Sequence, residues 1–99
     1  WRGRLTDRYV AVLGRLGETL GERGDLAGQL SVARELVEVD PLDEGAHRQL
    51  MLAYARTGRR GQALRQFLTC RRSLVDELGL EPSARTEELH ASILAGEEV

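Results

Sequence analysis

The stretch from Asp40 to Pro82, D-P-L-D-E-G-A-H-R-Q-L-M-L-A-Y-A-R-T-G-R-R-G-Q-A-L-R-Q-F-L-T-C-R-R-S-L-V-D-E-L-G-L-E-P, decides the fold, because it carries the punctuation of a helical hairpin. Asp40 can accept from the free N–H groups of a first turn begun at Pro41, where the missing proline N–H costs nothing. Apolar residues recur at Leu42, Ala46, Leu50, Ala53 and Tyr54, the spacing of one helix face, until Thr57 and Gly58 interrupt it. This predicts a helix over 41–57. A second inward stripe, Ala63, Leu64, Phe67, Leu68, Leu74, Val75 and Leu78, predicts another over 60–78. Gly79 can take the left-handed conformation that ends it, Leu80 is placed for the apolar contact of that cap, and Pro82 follows. The product is two antiparallel helices joined by a short turn.

Upstream, Leu5, Tyr9, Val12, Leu13, Leu16 and Leu20 form one helical face, predicting a helix over 5–22 that ends in Gly21 to Gly24. Gly14 and Gly17 lie inside it, each costing up to about 1 kcal/mol against Ala, so close approach of a neighbouring helix is expected at Gly17. Asp25 is placed to cap a helix over 26–39 with two stripes, one of Leu26, Leu30, Ala33 and Val37, the other of Val32, Leu36 and Val39, and therefore with two neighbours. Downstream, Ser83 opens a helix over 84–95 with Leu89, Ile93 and Leu94 inward, and a polar tail from Gly96 to Val99 is expected to fray.

An internal repeat relates the pieces. Setting Gly24 on Gly58 (58 − 24 = 34) also sets Leu16 on Leu50, Leu20 on Tyr54, Leu30 on Leu64 and Ala33 on Phe67. Thirty-four residues is the tetratricopeptide length, and Gly24 to Pro41 resembles the second half of such a unit. The second unit departs: its last helix is longer, and Pro82 follows Pro41 at 82 − 41 = 41. The expected fold class is all-α: tetratricopeptide-like antiparallel helical hairpins, about five helices, right-handed and solenoid-like.

The bulk properties bound the function. A chain of 99 residues builds one domain over 1–99, burying roughly 60–65% of its unfolded surface. All 14 basic residues are Arg and the net charge is −2, too weak a field to draw the domain onto DNA or an acidic membrane. The single Cys70 allows no internal disulfide and fits a reducing compartment, and no apolar run approaches about 18 residues, so the expected location is the cytoplasm. The start at Trp1, without Met or signal peptide, marks the chain as an expected piece of a longer protein.

Three segments carry a more specific signal: D-P-L-D-E-G-A-H-R (Asp40 to Arg48), G-R-R-G-Q-A-L (Gly58 to Leu64) and E-L-G-L-E-P-S (Glu77 to Ser83). With the residues between them they resemble the bacterial transcriptional activator domain, the tetratricopeptide-like regulatory module of SARP-type regulators. About the last 70 residues carry the likeness, and the first 30 share only helical pattern. The resemblance implies a non-catalytic, protein-interaction role in a transcriptional activator whose winged-helix DNA-binding domain lies outside this chain. The partners implied are that domain, a dimer partner and the transcription machinery, with no direct nucleic-acid, membrane or small-molecule contact. The alternative is a plain tetratricopeptide scaffold binding a partner peptide, unconnected with transcription.

Counting along the first and third helices, the wall facing a partner comprises Glu18, Glu22, Arg48, Leu52 and Arg56. Two readings are open: these charges pair with one another, or they dock a peptide or domain. Arg59-Arg60 and Arg71-Arg72 are candidate phosphate contacts, weighed against ordinary turn and surface charges with no aromatic residues interleaved. On the second reading Arg60→Ala costs within about 0.5 kcal/mol. His47, His90 and Cys70 are too few and wrongly spaced for a metal site, and Cys70 falls where a small buried residue packs, not where a nucleophile would be activated. The eleven glycines form no phosphate loop. No catalytic residue, metal or cofactor is expected, and a small helical hydrolase is the remote third class.

Overall fold

The structure, a computed structural model, describes residues 2–99, with side chains from Thr6 onward. Trp1 and the side chain of Leu5, counted above in the first apolar face, lie outside the described residues. Five helices follow in order: α1 (Arg2–Glu22), α2 (Leu26–Val39), α3 (Glu44–Arg56), α4 (Arg60–Leu78) and α5 (Ala84–Leu94). Each packs on the next in sequence, and α3 also touches α1 and α5. The helices α1, α3 and α5 therefore share one side of a slab measuring 43 × 34 × 18 Å, with α2 and α4 behind them. No strand occurs among the described residues.

The helix ends follow local chemistry. The Asp25 side chain accepts the Gly28 N–H at 2.9 Å and caps α2. Gly24 and Gly58, equivalent in the 34-residue register, share φ = 78°. Each lets the following N–H reach back: Asp25 to the Leu20 carbonyl at 2.8 Å, Arg59 to that of Tyr54 at 2.8 Å. Gly79 (φ = 65°) ends α4 in the same conformation, but Leu80 remains 58% exposed, so its expected cap contact is weak. The start of α3 corrects the expectation at Asp40-Pro41. Asp40 Oδ1 accepts the Leu42 N–H at 3.1 Å, closing a turn that competes with the helix, and Asp43 caps α3 instead, accepting from the Ala46 N–H.

Two apolar clusters correspond to the two stripes of α2. Ala33, flanked by Leu30 and Val37, joins Leu50, Met51, Tyr54, Ala63, Phe67 and Ile93, whereas Leu36, flanked by Val32, joins Leu13 of α1 and Ala46 of α3. Other inward assignments fail. Tyr9 is half exposed, its hydroxyl donating to Glu35 of α2, and Val12 and Leu16 are exposed because nothing stacks on the outer face of α1 among the described residues; Val39 of α2 is exposed too, Leu68, Val75 and Leu78 flank the α4 stripe without a described neighbour, and Leu94 also faces out.

The shortest helix, α5, is fastened at three points. At its start Glu44 Oε1 accepts from the Ser83 N–H (2.9 Å), the Ser83 hydroxyl (3.1 Å) and the Thr86 hydroxyl (2.7 Å), while Arg48 Nη1 donates to Thr86 Oγ1 at 2.8 Å. At its middle His90 stacks on Phe67, centroids 3.7 Å apart and planes 5° from parallel. At its end Arg60 Nε donates to the Ile93 carbonyl at 2.9 Å and Nη2 to that of Leu94. The Ile93 carbonyl also accepts the Gly96 N–H at 3.1 Å, and Arg60 adds a side-chain partner for the last carbonyls of the helix. The near-neutral Arg60→Ala expected from sequence is thereby revised: it should cost on the order of 1 kcal/mol, seen as a lower urea midpoint. A midpoint equal to the parent's would mean that the clamp does not form in solution.

Candidate functional site

The three facing helices enclose an open groove of about 860 Å³. Glu18 and Glu22 of α1 line it on one side, Arg48, Leu52 and Arg56 of α3 form its middle, and Arg85 and Leu89 of α5 close it. All five residues picked from the sequence are thus neighbours. Arg85, Leu89, Val99 and the glutamines Gln29 and Gln49 also line the groove and were missed. The signal for α5 was present in the 41-residue stride from Pro41 to Pro82, which places Leu89 on Arg48 (89 − 41 = 48).

Glycine sets the width between α1 and α3. Gly17 is buried, and a Cβ there would lie 3.1 Å from Gln49 Cδ and 3.4 Å from Val32 Cγ1, so the close approach expected at Gly17 is present. Gln49 Nε2 donates to the Gly14 carbonyl at 3.1 Å, tying α3 to α1. Its Oε1, and that of Gln29 beside Gly21, are buried without a hydrogen-bond partner among the described residues.

The charges across the groove do not neutralise one another. Among the described residues neither Glu18 nor Glu22 is in an ion pair with Arg48 or Arg56, so mutual pairing is corrected. Arg48 goes to Thr86, and Arg56 Nε donates to the Val99 backbone oxygen at 2.8 Å. The groove keeps an acidic wall on α1 and a basic one on α3 and α5, over half-buried Leu26, Leu52 and Leu89. The tail expected to fray instead turns at Gly96 (φ = 74°) and lays Val99 against the core.

The other singled-out groups have structural roles. Arg71 forms a two-pronged ion pair with Glu81 (2.7 and 3.0 Å) and Arg60 is the α5 clamp, so one member of each arginine pair is already engaged. Cys70 is fully buried, and burial pushes its thiol up to about 11, far from a thiolate nucleophile. No three His, Cys, Asp or Glu side chains converge as a metal site among the described residues, and no described helix is long and apolar enough to cross a membrane. Glu44 is lowered on balance: burial opposes ionisation, but the Ser83 and Thr86 hydrogen bonds and the Arg48 charge outweigh it.

His47, fully buried, binds through both ring nitrogens: Nε2–H donates to the Pro41 carbonyl (2.8 Å) and Nδ1 accepts from Gln66 Nε2 (2.8 Å). That is the neutral tautomer. Burial lowers its pKa, against the Pro41 bond and the Asp43, Glu44 and Asp40 charges, which raise it. With the folded value below the unfolded 6.5, the unfolded chain binds more protons in the interval between them, so stability is full above about pH 6.5 and falls as pH drops below it. Melting temperatures should decline through that window, and His47→Gln should flatten the decline. An unchanged slope in the variant would assign the dependence to another group.

Known proteins are similar to this chain in sequence. The family model described as the bacterial transcriptional activator domain matches residues 2–94. The chain is 41% identical over 91 residues to the regulatory protein DnrI of Streptomyces peucetius, covering 92% of this chain and 34% of that protein. It is 36% identical over 93 residues to the transcriptional regulator RedD of Streptomyces coelicolor (94% of this chain, 27% of that protein), and 38% identical over 73 residues to the regulatory protein AfsR of the same organism (74% and 7%). The chain thus spans about a third or less of the length of these curated relatives. With its five-helix fold and three signature segments in place, the chain belongs to the bacterial transcriptional activator domain family, the activator domain of SARP-type transcriptional regulators.

Proposed function

We propose that this chain is a single, non-catalytic docking domain of a longer cytoplasmic activator, and that its α1–α3–α5 groove engages another protein part. That part is the regulator's own winged-helix DNA-binding domain, its dimer partner or the transcription machinery, while direct contact with DNA belongs to the winged helix. The carrying observation is the groove itself: an acidic wall facing a basic one across an apolar floor, with no ion pair between them among the described residues. Family membership supports a docking role in transcription over a general peptide scaffold. The buried, protonated Cys70 and the doubly bonded neutral His47 leave neither group poised for nucleophilic catalysis. The test is a promoter-reporter assay with the full-length regulator carrying Glu18→Arg and Glu22→Arg. Activation should fall at least about tenfold, the effect of roughly 1.4 kcal/mol of lost docking, while promoter affinity in a mobility-shift assay and the helical circular dichroism stay unchanged. Full activation by that variant would refute the groove as the docking surface.

A further inference from the structure

Resting on the groove as a docking surface, we infer that its end between α1, α2 and α3 is a subsite for one arginine side chain of the docking protein. The Gln29 and Gln49 amide oxygens and the Glu18 and Glu22 carboxylates receive its guanidinium together. Two orphaned acceptors carry this. Gln29 is 3% and Gln49 8% exposed, both line the groove, and the side-chain oxygen of each is buried with no hydrogen-bond partner among the described residues. Buried acceptors are nearly always bonded, so two orphans beside one acidic wall mark a donor that the docking protein brings.

Among the described residues nothing supplies that donor. Gln49 gives its own Nε2 to the Gly14 carbonyl (3.1 Å), while Arg48 goes to Thr86 and Arg56 to the Val99 backbone oxygen. Glycines of α1 leave the amides their room: a Cβ at Gly21 would lie 2.8 Å from Gln29 Cδ and 3.0 Å from its Oε1, and one at Gly17 would lie 3.1 Å from Gln49 Cδ. A side chain at either position would displace the amide. No hydrogen bond holds the Gln29 amide among the described residues, and its terminal torsion is of the broad sp³–sp² kind, so its oxygen can turn to the groove. Spacing then selects the cation. Gly17 and Gly21 are one turn apart, which sets the two amides about 6 Å apart along α1, and Glu18 and Glu22 repeat that interval on the adjoining face. An ammonium is one nitrogen whose acceptors lie about 2.9 Å away in tetrahedral directions, a span of about 5 Å; a guanidinium spreads five N–H donors over three nitrogens in one plane and covers the longer gap. Its charge also serves the two carboxylates, which have no ion-pair partner among the described residues.

The test titrates the ¹⁵N-labelled 99-residue chain with the N-acetyl methylamides of arginine, lysine and citrulline, the last matching arginine in shape without its charge. The arginine probe should shift the side-chain NH₂ signals of Gln29 and Gln49 and the backbone signals of Gly17 and Gly21 saturably. Its half-point should be about fivefold lower than that of lysine and about tenfold lower than that of citrulline. Gln29→Met should weaken arginine about fivefold and leave lysine unchanged, which removes the preference, whereas Glu18→Gln with Glu22→Gln should weaken both cations by about tenfold. The ranking of probes and the glutamine signals are read on the parent chain and decide the matter whether or not a variant folds. Equal half-points for arginine and lysine, unmoved glutamine signals, a response to arginine that does not saturate, or an arginine preference that survives Gln29→Met overturns the inference. If one of these occurs while Glu18→Arg with Glu22→Arg still lowers activation by the full-length regulator, the groove remains the docking surface and only the arginine subsite is refuted.

Discussion

Phe67→Ala should destabilise the domain by about 3–5 kcal/mol, whereas Leu68→Ala, one residue along the same helix, should cost less than about 1 kcal/mol. Phe67 is 4% exposed and lies in the cluster that joins α2, α3, α4 and α5; Leu68 is 53% exposed. Truncation at 67 removes a large buried side chain, and the rigid helices around it cannot close the space left behind. It also takes away the ring on which His90 stacks, the middle fastening of α5. For a chain of this size the loss corresponds to a fall of about 15–25 °C in melting temperature, with the Leu68 variant within a few degrees of the parent. A double-mutant cycle with His90→Ala isolates the stack, expected at about 0.5–1.5 kcal/mol of coupling. Equal melting temperatures for the two truncations would place the core on the wrong face of α4.

The contrast between residues 67 and 68 also marks where sequence stops being sufficient. Periodicity found every helix because each has an apolar face, and the 34-residue register found the hairpin stacking because Gly24 and Gly58 must both adopt φ = 78° to end their helices. The five groove residues were legible for the same reason, since in stacked hairpins the first helix of each unit faces one side. What periodicity does not contain is the edge of a stripe. Leu68, Val75 and Leu78 are apolar and adjacent to the buried face, and only the absence of a neighbour at that angle leaves them exposed. Polar fastenings were also hidden. Arg60 resembles any turn arginine until α5 brings the Ile93 and Leu94 carbonyls to it, and Glu44 resembles a first-turn acid until Ser83 and Thr86 arrive. Both belong to the segments Asp40 to Arg48 and Gly58 to Leu64, so in this chain those segments hold α5. At Asp40-Pro41 the sequence suggested a cap at Asp40, but that side chain accepts the Leu42 N–H, and Asp43, three residues on, caps α3.

The second large effect is expected at Leu50, and its informative partner is Leu16, the residue that the register superposes on it (50 − 16 = 34). Leu50 is 3% exposed within the main cluster and Leu16 is 44% exposed on the outer face of α1. Leu50→Ala should cost about 2–5 kcal/mol, the transfer of a leucine side chain plus the cavity it leaves, and Leu16→Ala about 1 kcal/mol or less. Because Leu50 and Phe67 share one cluster, the double variant should depart from the sum of its parts by about 0.5 kcal/mol or more, as neighbours emptying one space do. Urea titrations of the four proteins test this, provided the slope stays constant so that midpoints report stability alone. The same pair measures what stacking contributes to a repeat: identical leucines in identical register differ because α3 packs against α1, α2, α4 and α5, and α1 only against α2 and α3 among the described residues. A Leu16→Ala loss as large as that of Leu50→Ala would therefore show that the outer face of α1 is covered in solution, with Val12 inside that interface too.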